Sequence, residues 1–298
     1  MVRQYKIHTN LDGTDDKVWD VTNGKVRFYQ PSNLGLQSTN NIWQSNGIGV
    51  TGTRSITQPQ IEFKLETFGE SLEENYRLMK DFINDILNQK FVTLEYQTEI
   101  FQVYADLALA DITKTEGYGK NGTFSEKITF DIITKWYTYE NLTFDMVQNG
   151  KVISGKSKIY GGTAPGSYKY VKGVSYTYYG ETNIERLSRW DIKDEIFSFI
   201  GILYPQLPKT PAGVRFLDDI GNEYTAIVFK TEELQDYILI NTDVNDETYQ
   251  GWKGTTALNL FPVMDFERYR TRIIEKGQME LINLSKAELK IKRKADFV

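Results

Sequence analysis

The chain has 298 residues, with 35 basic and 40 acidic side chains and a formal net charge of −5, so it offers nucleic acid no general attraction. That length suits two modest domains, or one large β-domain with insertions. Cysteine is absent and His8 is the single histidine, which excludes disulfides, thiolate nucleophiles and Cys-ligated zinc and leaves a histidine triad or two-His metal site without material.

The N-terminus, Met1-Val2-Arg3-Gln4-Tyr5-Lys6, lacks the apolar core of a signal peptide. No run approaches the 18 or so apolar residues of a spanning helix, so no membrane association is expected. The aromatic content, 19 Tyr and 16 Phe, favours pleated, half-buried surfaces. Two short strands are predicted around Val18–Val21 and Lys25–Gln30, with Asn23-Gly24 as the turn between them. Pro31 to Gln60 is rich in Ser, Asn, Thr and Gly, and is expected to be mobile or laid against something else. Ile61, Phe63 and Leu65 alternate as a strand.

Ser71 and Glu74 form a capping box. Leu72, Tyr76, Met79, Phe82, Ile83, Ile86 and Leu87 then share one helical face, to an end near Gln89. Strands follow at Phe91–Tyr96, Ile100–Ala110 and Phe124–Ile133, the last two joined by the turn-rich Gly117 to Gly122. Residues 1–138 thus read as an α+β unit with one main helix.

The texture changes after Trp136-Tyr137. From Gln148 to Gly180 there is no acidic residue, while Lys151, Lys156, Lys158, Lys169 and Lys172 are all basic. Residues 146–190 read as a projecting insertion of hairpins. From Glu195 onward, short apolar runs recur at Ile196–Leu203, Val214–Leu217, Tyr224–Phe229, Tyr237–Ile240, Ala257–Phe261, Met279–Leu284 and Leu289–Lys292. Turns fall at Gly221-Asn222 and Asp243–Glu247. This spacing suggests a β-sandwich over 139–298. The fold class is mainly β.

Few motifs carry chemistry. Gly150, Gly155, Lys156 and Ser157 match the phosphate-cradling G-x-x-x-x-G-K-S pattern, but Gly161, Gly162 and Pro165 forbid the helix that must follow. Acidic clusters lie at Asp12–Asp16, Asp218-Asp219 and Asp243–Glu247. Paired carboxylates can run glycoside hydrolysis and oxygen-rich loops can hold calcium. No second group with a catalytic role accompanies them, and no EF-hand pattern is present, so they read as solvated turns. His8 reads as a surface residue. No enzyme activity, cofactor or metal site is expected, with calcium the one ion left open. Tyr160, Tyr168, Tyr170, Lys172, Tyr176, Tyr178, Tyr179 and Trp190 form a basic, aromatic candidate surface. Such a set could stack on single-stranded nucleic acid, but the acidic chain favours a protein partner.

As a whole the chain resembles the distal tail (Dit) proteins of siphophages that infect Gram-positive bacteria, and among these the lactococcal phage proteins. The resemblance is carried by Pro31-Ser32-Asn33-Leu34-Gly35-Leu36, the polar loop to Gly52-Thr53-Arg54, and the strand–helix–strand unit from Ile61 to Tyr96. Phe130-Asp131-Ile132-Ile133-Thr134-Lys135-Trp136-Tyr137 and the basic strand Leu289-Lys290-Ile291-Lys292-Arg293-Lys294 complete it. It implies a virion protein assembled in the host cytoplasm. Its N-terminal domain would form a six-fold ring at the end of the tail tube, and its C-terminal domain a galectin-like sandwich. An inserted arm and hand would hold receptor-binding protein trimers. Partners would be further copies of the chain, those trimers, the tail-associated protein and the major tail protein. The galectin sugar motif H-x-N-P-R has no counterpart here.

The polar segment Pro31–Gln60 has too few apolar residues to be ordered by its own chain, and packing on a neighbouring subunit would order it. Asn33, Leu34, Ile42, Trp43, Ile48 and Arg54 are therefore the candidate ring-interface residues. The competing reading is a carbohydrate-binding β-sandwich module attached to a cell-wall or glycan-targeting assembly.

Overall fold

The structure, a computed structural model, describes residues 3–35, 37–57, 60–114, 125–144, 147–148, 151–152, 158–160, 176–178, 189–271 and 273–295. Strand makes up 57% of it and helix 8%, so the protein is mainly β. The chain divides into two units, Met1–Thr138 with Ala295–Val298, and Tyr139–Lys294. The second unit is thus an insertion in the first. Ala295 donates its N–H to the Trp136 carbonyl at 2.8 Å, both within the first unit.

The first unit contains β1 (Gln4–His8), β2 (Val18–Asp20), β3 (Val26–Ser32), β4 (Gln37–Ser45), β5 (Ile48–Thr57), β6 (Ile61–Thr67), α1 (Leu72–Leu87), β7 (Val92–Gln97), β8 (Gln102–Thr113) and β9 (Ser125–Ile132). Seven strands pair antiparallel in the order β2-β1-β7-β8-β9-β6-β3. The alternation read in β6 is real: Ile61, Phe63, Leu65 and Thr67 are buried and the residues between them are not. Ile61, Phe63 and Leu65 meet Tyr5, Ile7, Phe28, Leu94, Leu107, Phe130 and others in one core. β1 was not expected, because only Tyr5 and Ile7 mark its inner face. The predicted turn at Gly117 to Gly122 lies outside the described residues.

The helix begins where Ser71 caps it, its Oγ accepting the Glu74 N–H at 3.2 Å. The reciprocal half of the capping box differs, since the Glu74 carboxylate takes the Glu70 N–H instead of Ser71's own. The apolar face is narrower than the sequence suggests. Phe82 and Ile86 are buried and Leu78, Met79 and Ile83 pack partly, but Leu72, Tyr76 and Leu87 are exposed. These three lie at the margins and ends of the stripe, where the sheet does not reach them.

The second unit takes in most of β10 (Tyr137–Phe144), then β11 (Val147–Gln148), β12 (Lys151–Val152), β13 (Lys158–Tyr160), β14 (Tyr176–Tyr178), β15 (Arg189–Ile192), β16 (Ile196–Pro205), β17 (Ala212–Leu217), β18 (Glu223–Phe229), β19 (Tyr237–Asn241), β20 (Thr248–Lys253), β21 (Thr256–Asn259), β22 (Gly277–Ile282) and β23 (Leu284–Lys294). Two sheets, β10-β23-β16-β19-β20-β21 and β15-β22-β17-β18, face one another. Phe199, Leu203, Ile238, Ile240, Leu289 and Ile291 of the first share one core with Val214, Phe216, Ile227, Phe229 and Met279 of the second. This is a β-sandwich. β15 and β20 were missed. β15 is only four residues long, and in β20 Gln250-Gly251 interrupts what would otherwise be an apolar run.

Candidate interaction surfaces

The segment Pro31–Gln60 is not without order of its own. β4 and β5 pair as an antiparallel hairpin, with Trp43 opposite Val50, Ile42 opposite Thr51 and Ser45 opposite Ile48. Asn46 and Gly47 turn it at φ +50° and +78°, the left-handed pair that a tight hairpin needs. Because side chains alternate along a strand, Trp43, Ile48 and Val50 share one face, while Ile42 and Thr51 occupy the other. The sequence reading missed Val50. It also passed over Asn46-Gly47, the turn signal that would have revealed the hairpin.

Both faces of this hairpin are open. Every residue of β4 is exposed, with Trp43 at 66%, Ile48 at 71%, Val50 at 59% and Ile42 at 53%. Arg54 is also exposed and donates from Nε to Asn40 Oδ1 at 2.9 Å. The root is fastened to the first unit. Asn33, at φ +63°, donates to the Gln60 carbonyl at 3.1 Å, and Gln60 Nε2 reaches Asp131 at 2.8 Å. Leu34 packs on the unit's own core. Asn33 and Leu34 therefore anchor the hairpin, and Ile42, Trp43, Ile48 and Arg54 are the members it presents.

Of the aromatic set in 146–190, Tyr168, Tyr170, Lys172 and Tyr179 lie outside the described residues, as do Gly150, Gly155, Lys156 and Ser157 of the phosphate-loop match. The backbones of Tyr160, Tyr176 and Tyr178 belong to β13 and β14, which pair parallel and so are not a hairpin. Trp190 lies in β15, which pairs with β22, and its ring packs against the sandwich core. It thus serves the body of the second unit.

His8 is not a surface residue. It is buried, with Nδ1 2.6 Å from Asp16 and Nε2 2.8 Å from Glu95. Lys6 holds the other Glu95 oxygen at 2.8 Å. Burial alone would raise the Glu95 carboxyl, but the Lys6 and His8 hydrogen bonds outweigh it and hold it below its ordinary value. Tyr104 is pushed up to about 12, by burial first and then by the charges of Glu95 and Asp12. The cluster ties β1, β7 and the Asp12–Asp16 loop together.

The acidic turns are occupied by internal bonds. Asp243 is buried against Lys292 at 2.8 Å and also accepts the Asn245 N–H. Asp246 accepts from Asn241 and Glu247 from Tyr249. Asp218 closes its own turn by accepting the Ile220 and Asn222 amides. Among the described residues no group of three or more acidic, His or Cys side chains is placed to hold a metal ion. No helix there is long and apolar enough to cross a membrane.

A mainly β protein that holds out an uncovered apolar hairpin is a component of a larger assembly. Residues 4–133 match the N-terminal domain model of the distal tail protein, and residues 135–298 match the Dit C-terminal domain model. The chain is 93% identical to the distal tail protein of Lactococcus phage p2 and 90% identical to that of Lactococcus phage SK1, over 100% of both chains in each case. A chain in the solved structure of the phage P2 baseplate in its activated conformation with calcium matches it with a TM-score of 0.80 and 93% identity, covering 100% of each. The corresponding strontium structure matches equally, at 92% identity. The Dit protein of phage SPP1 shares the fold, with a TM-score of 0.50 at 10% identity over 99% of this chain. The chain belongs to the distal tail protein family. It is a structural component of a phage tail tip, carried in the virion, where it contacts other tail proteins.

Proposed function

We propose that this protein is the ring-forming hub of its tail tip and works without enzymatic activity. In this reading copies of residues 1–138 close a hexameric ring. The ring joins the tail tube to the tail-associated protein, and residues 139–298 form a galectin-like sandwich whose 146–190 arm holds receptor-binding trimers. The observation that carries the ring is the β4–β5 hairpin, exposed on both faces. An isolated two-stranded hairpin is marginal in water, and contiguous exposed apolar side chains mark protein contacts. A second copy that buries Trp43, Ile48 and Val50 supplies what the hairpin lacks.

Light scattering tests this directly. The wild-type chain is expected to run at a defined multiple of its 34.5 kDa mass. The quadruple variant Ile42→Ser, Trp43→Ser, Ile48→Ser, Val50→Ser is expected to run as a folded monomer. A wild type that stays monomeric at high concentration sinks the ring. For the arm, replacing residues 148–188 with a short Gly-Ser linker should leave the ring intact and abolish capture of the receptor-binding protein.

Two baseplate structures of a close relative are described with calcium and with strontium, and an ion-dependent response of the assembly is part of this proposal. An ion entering the Asp243 loop would have to displace Lys292 from its carboxylate.

A further inference from the structure

The outward face of a sandwich sheet is ordinarily polar, because it meets water. The outward face of the six-stranded sheet departs from that pattern. On β16 the inward Gly201 and Leu203 alternate with Ile200, Ile202 and Tyr204, and on β19 the buried Ile238 and Ile240 alternate with Tyr237 and Leu239. Trp252 of β20 stands directly opposite Tyr237, with the two rings stacked at 6.0 Å. Ile202 pairs with Leu239, and Leu239 with Gln250. These outward side chains are half-buried, and they stand apart from the core that the two sheets share.

Two rows of side chains cross these strands. Tyr204, Tyr237 and Trp252 make an aromatic row, about 10 Å long at the usual strand spacing. Ile202, Leu239 and Gln250 make a second row beside it. Next to Ile200 and Ile202 lies a groove of about 320 Å³, walled by Asn141 and Thr143 of β10 and by Glu288 and Lys290 of β23. The charges beside it are engaged within the face. Lys286 pairs with Glu288 and lies 5.5 Å from the Tyr204 ring, and Lys290 lies 3.9 Å from the Tyr139 ring. A patch two rows deep on a few strands falls well short of the roughly 800 Å² per partner that a stable protein interface buries. It suits a smaller ligand.

We propose that this face binds a linear, neutral oligosaccharide, laid across β16, β19 and β20 with one end in the groove. A sugar ring is apolar on its C–H faces and edged by hydroxyls that both donate and accept hydrogen bonds. The C–H faces pack on Tyr204, Tyr237 and Trp252, whose rings offer large apolar area. The hydroxyls meet Asn141, Thr143 and Gln250, whose amide and hydroxyl groups likewise donate and accept. An apolar lining with a few convergent polar groups is the common make-up of small-ligand sites. An anionic sugar gains little here, because Lys286 is held by Glu288 and Lys290 by the Tyr139 ring. The whole site lies within the second unit, Tyr139–Lys294, so it does not depend on the ring reading. Repeated over the copies in one tail tip, weak single contacts with a surface glycan would add to a firm hold.

Calorimetric titration of the full-length chain with neutral hexasaccharides of glucose, galactose, rhamnose and N-acetylglucosamine tests this. At least one is expected to bind with a Kd below about 1 mM. Trp252→Ala should weaken that binding about tenfold or more, with circular dichroism and light scattering unchanged, and Trp252→Phe should recover most of it. Asn141→Ala/Thr143→Ala, at exposed positions on the groove wall, should weaken it as well, and decides the matter if Trp252→Ala fails to fold. Trp43→Ser, in the hairpin, should bind as the wild type does. The proposal is wrong if no neutral hexasaccharide binds in that range, or if both site variants bind as the wild type does. It is equally wrong if a phosphorylated hexasaccharide binds more tightly and salt abolishes the binding, which is attraction to lysines alone. Loss of a tail protein's binding in Trp252→Ala, with no sugar bound by the wild type, would make the face a protein interface and overturn it too.

Discussion

β6 and the β4–β5 hairpin are near neighbours in the chain and opposite in kind. In β6 every second side chain is buried against α1 and the facing strands. In β4 none is buried on either face. One strand is held by its own unit. The other is paired only with its partner strand among the described residues, and its apolar side chains stay largely in solvent. Apolar content alone therefore does not say which chain a residue stabilises. In the proposed ring, a hairpin with Ile, Trp and Val would be stabilised by a neighbouring copy.

Substitutions at four positions sharpen this contrast. The largest effect is expected at Phe63, fully buried in β6 and in ring contact with Phe28 at 4.6 Å and Tyr5 at 5.5 Å. Phe63→Ala should cost about 3–5 kcal/mol in denaturant unfolding. A loss below 1 kcal/mol would mean that the core does not depend on β6. Asp243→Ala removes the 2.8 Å ion pair of the buried Lys292 ammonium and should cost the second unit about 3 kcal/mol. Asp243→Asn, which keeps a polar partner, is expected to recover part of that loss. Ser71→Ala removes the cap of α1 and should cost about 1 kcal/mol. At the small end, Trp43→Ser should leave the melting temperature of the dissociated chain unchanged while weakening assembly. If Trp43→Ser instead lowers that temperature as far as Ser71→Ala does, the hairpin packs on its own unit and the contrast fails.

Acid adds a test of the His8 cluster. Glu95 is held below its ordinary value in the folded chain, so it binds a proton more readily when unfolded. Its stabilising contribution is fully present above the unfolded carboxylate value and is lost as pH falls through the depressed folded one. Stability measured downward from pH 6 should fall less steeply in Glu95→Gln than in the wild type. Identical slopes would show that the Lys6 and His8 contacts contribute nothing to folding.

What the sequence disclosed follows from these same features. Ile61, Phe63 and Leu65 announced β6 because an inward face imposes a period of two, and Ser71 announced the start of α1 because capping is local. The repeated apolar runs after Glu195 marked most of the sandwich for the same reason. The hairpin escaped because a strand exposed on both faces has no inward face to impose alternation. His8 was misread because its partner Glu95 lies 87 positions away, and nothing near His8 in sequence indicates that pairing. Trp190 was assigned to the insertion because the boundary at β15 depends on its pairing with the distant β22.

The bond from Ala295 to the Trp136 carbonyl has a consequence for how such chains change over time. The first unit is interrupted once, and the two cut ends lie within a single hydrogen bond of each other. Removing Tyr139–Lys294 would leave a gap that a few residues can bridge, the geometry in which whole-domain exchange leaves a host fold undisturbed. The sandwich can therefore be swapped, enlarged or reshaped by recombination while the strands that share the Phe63 core keep their register.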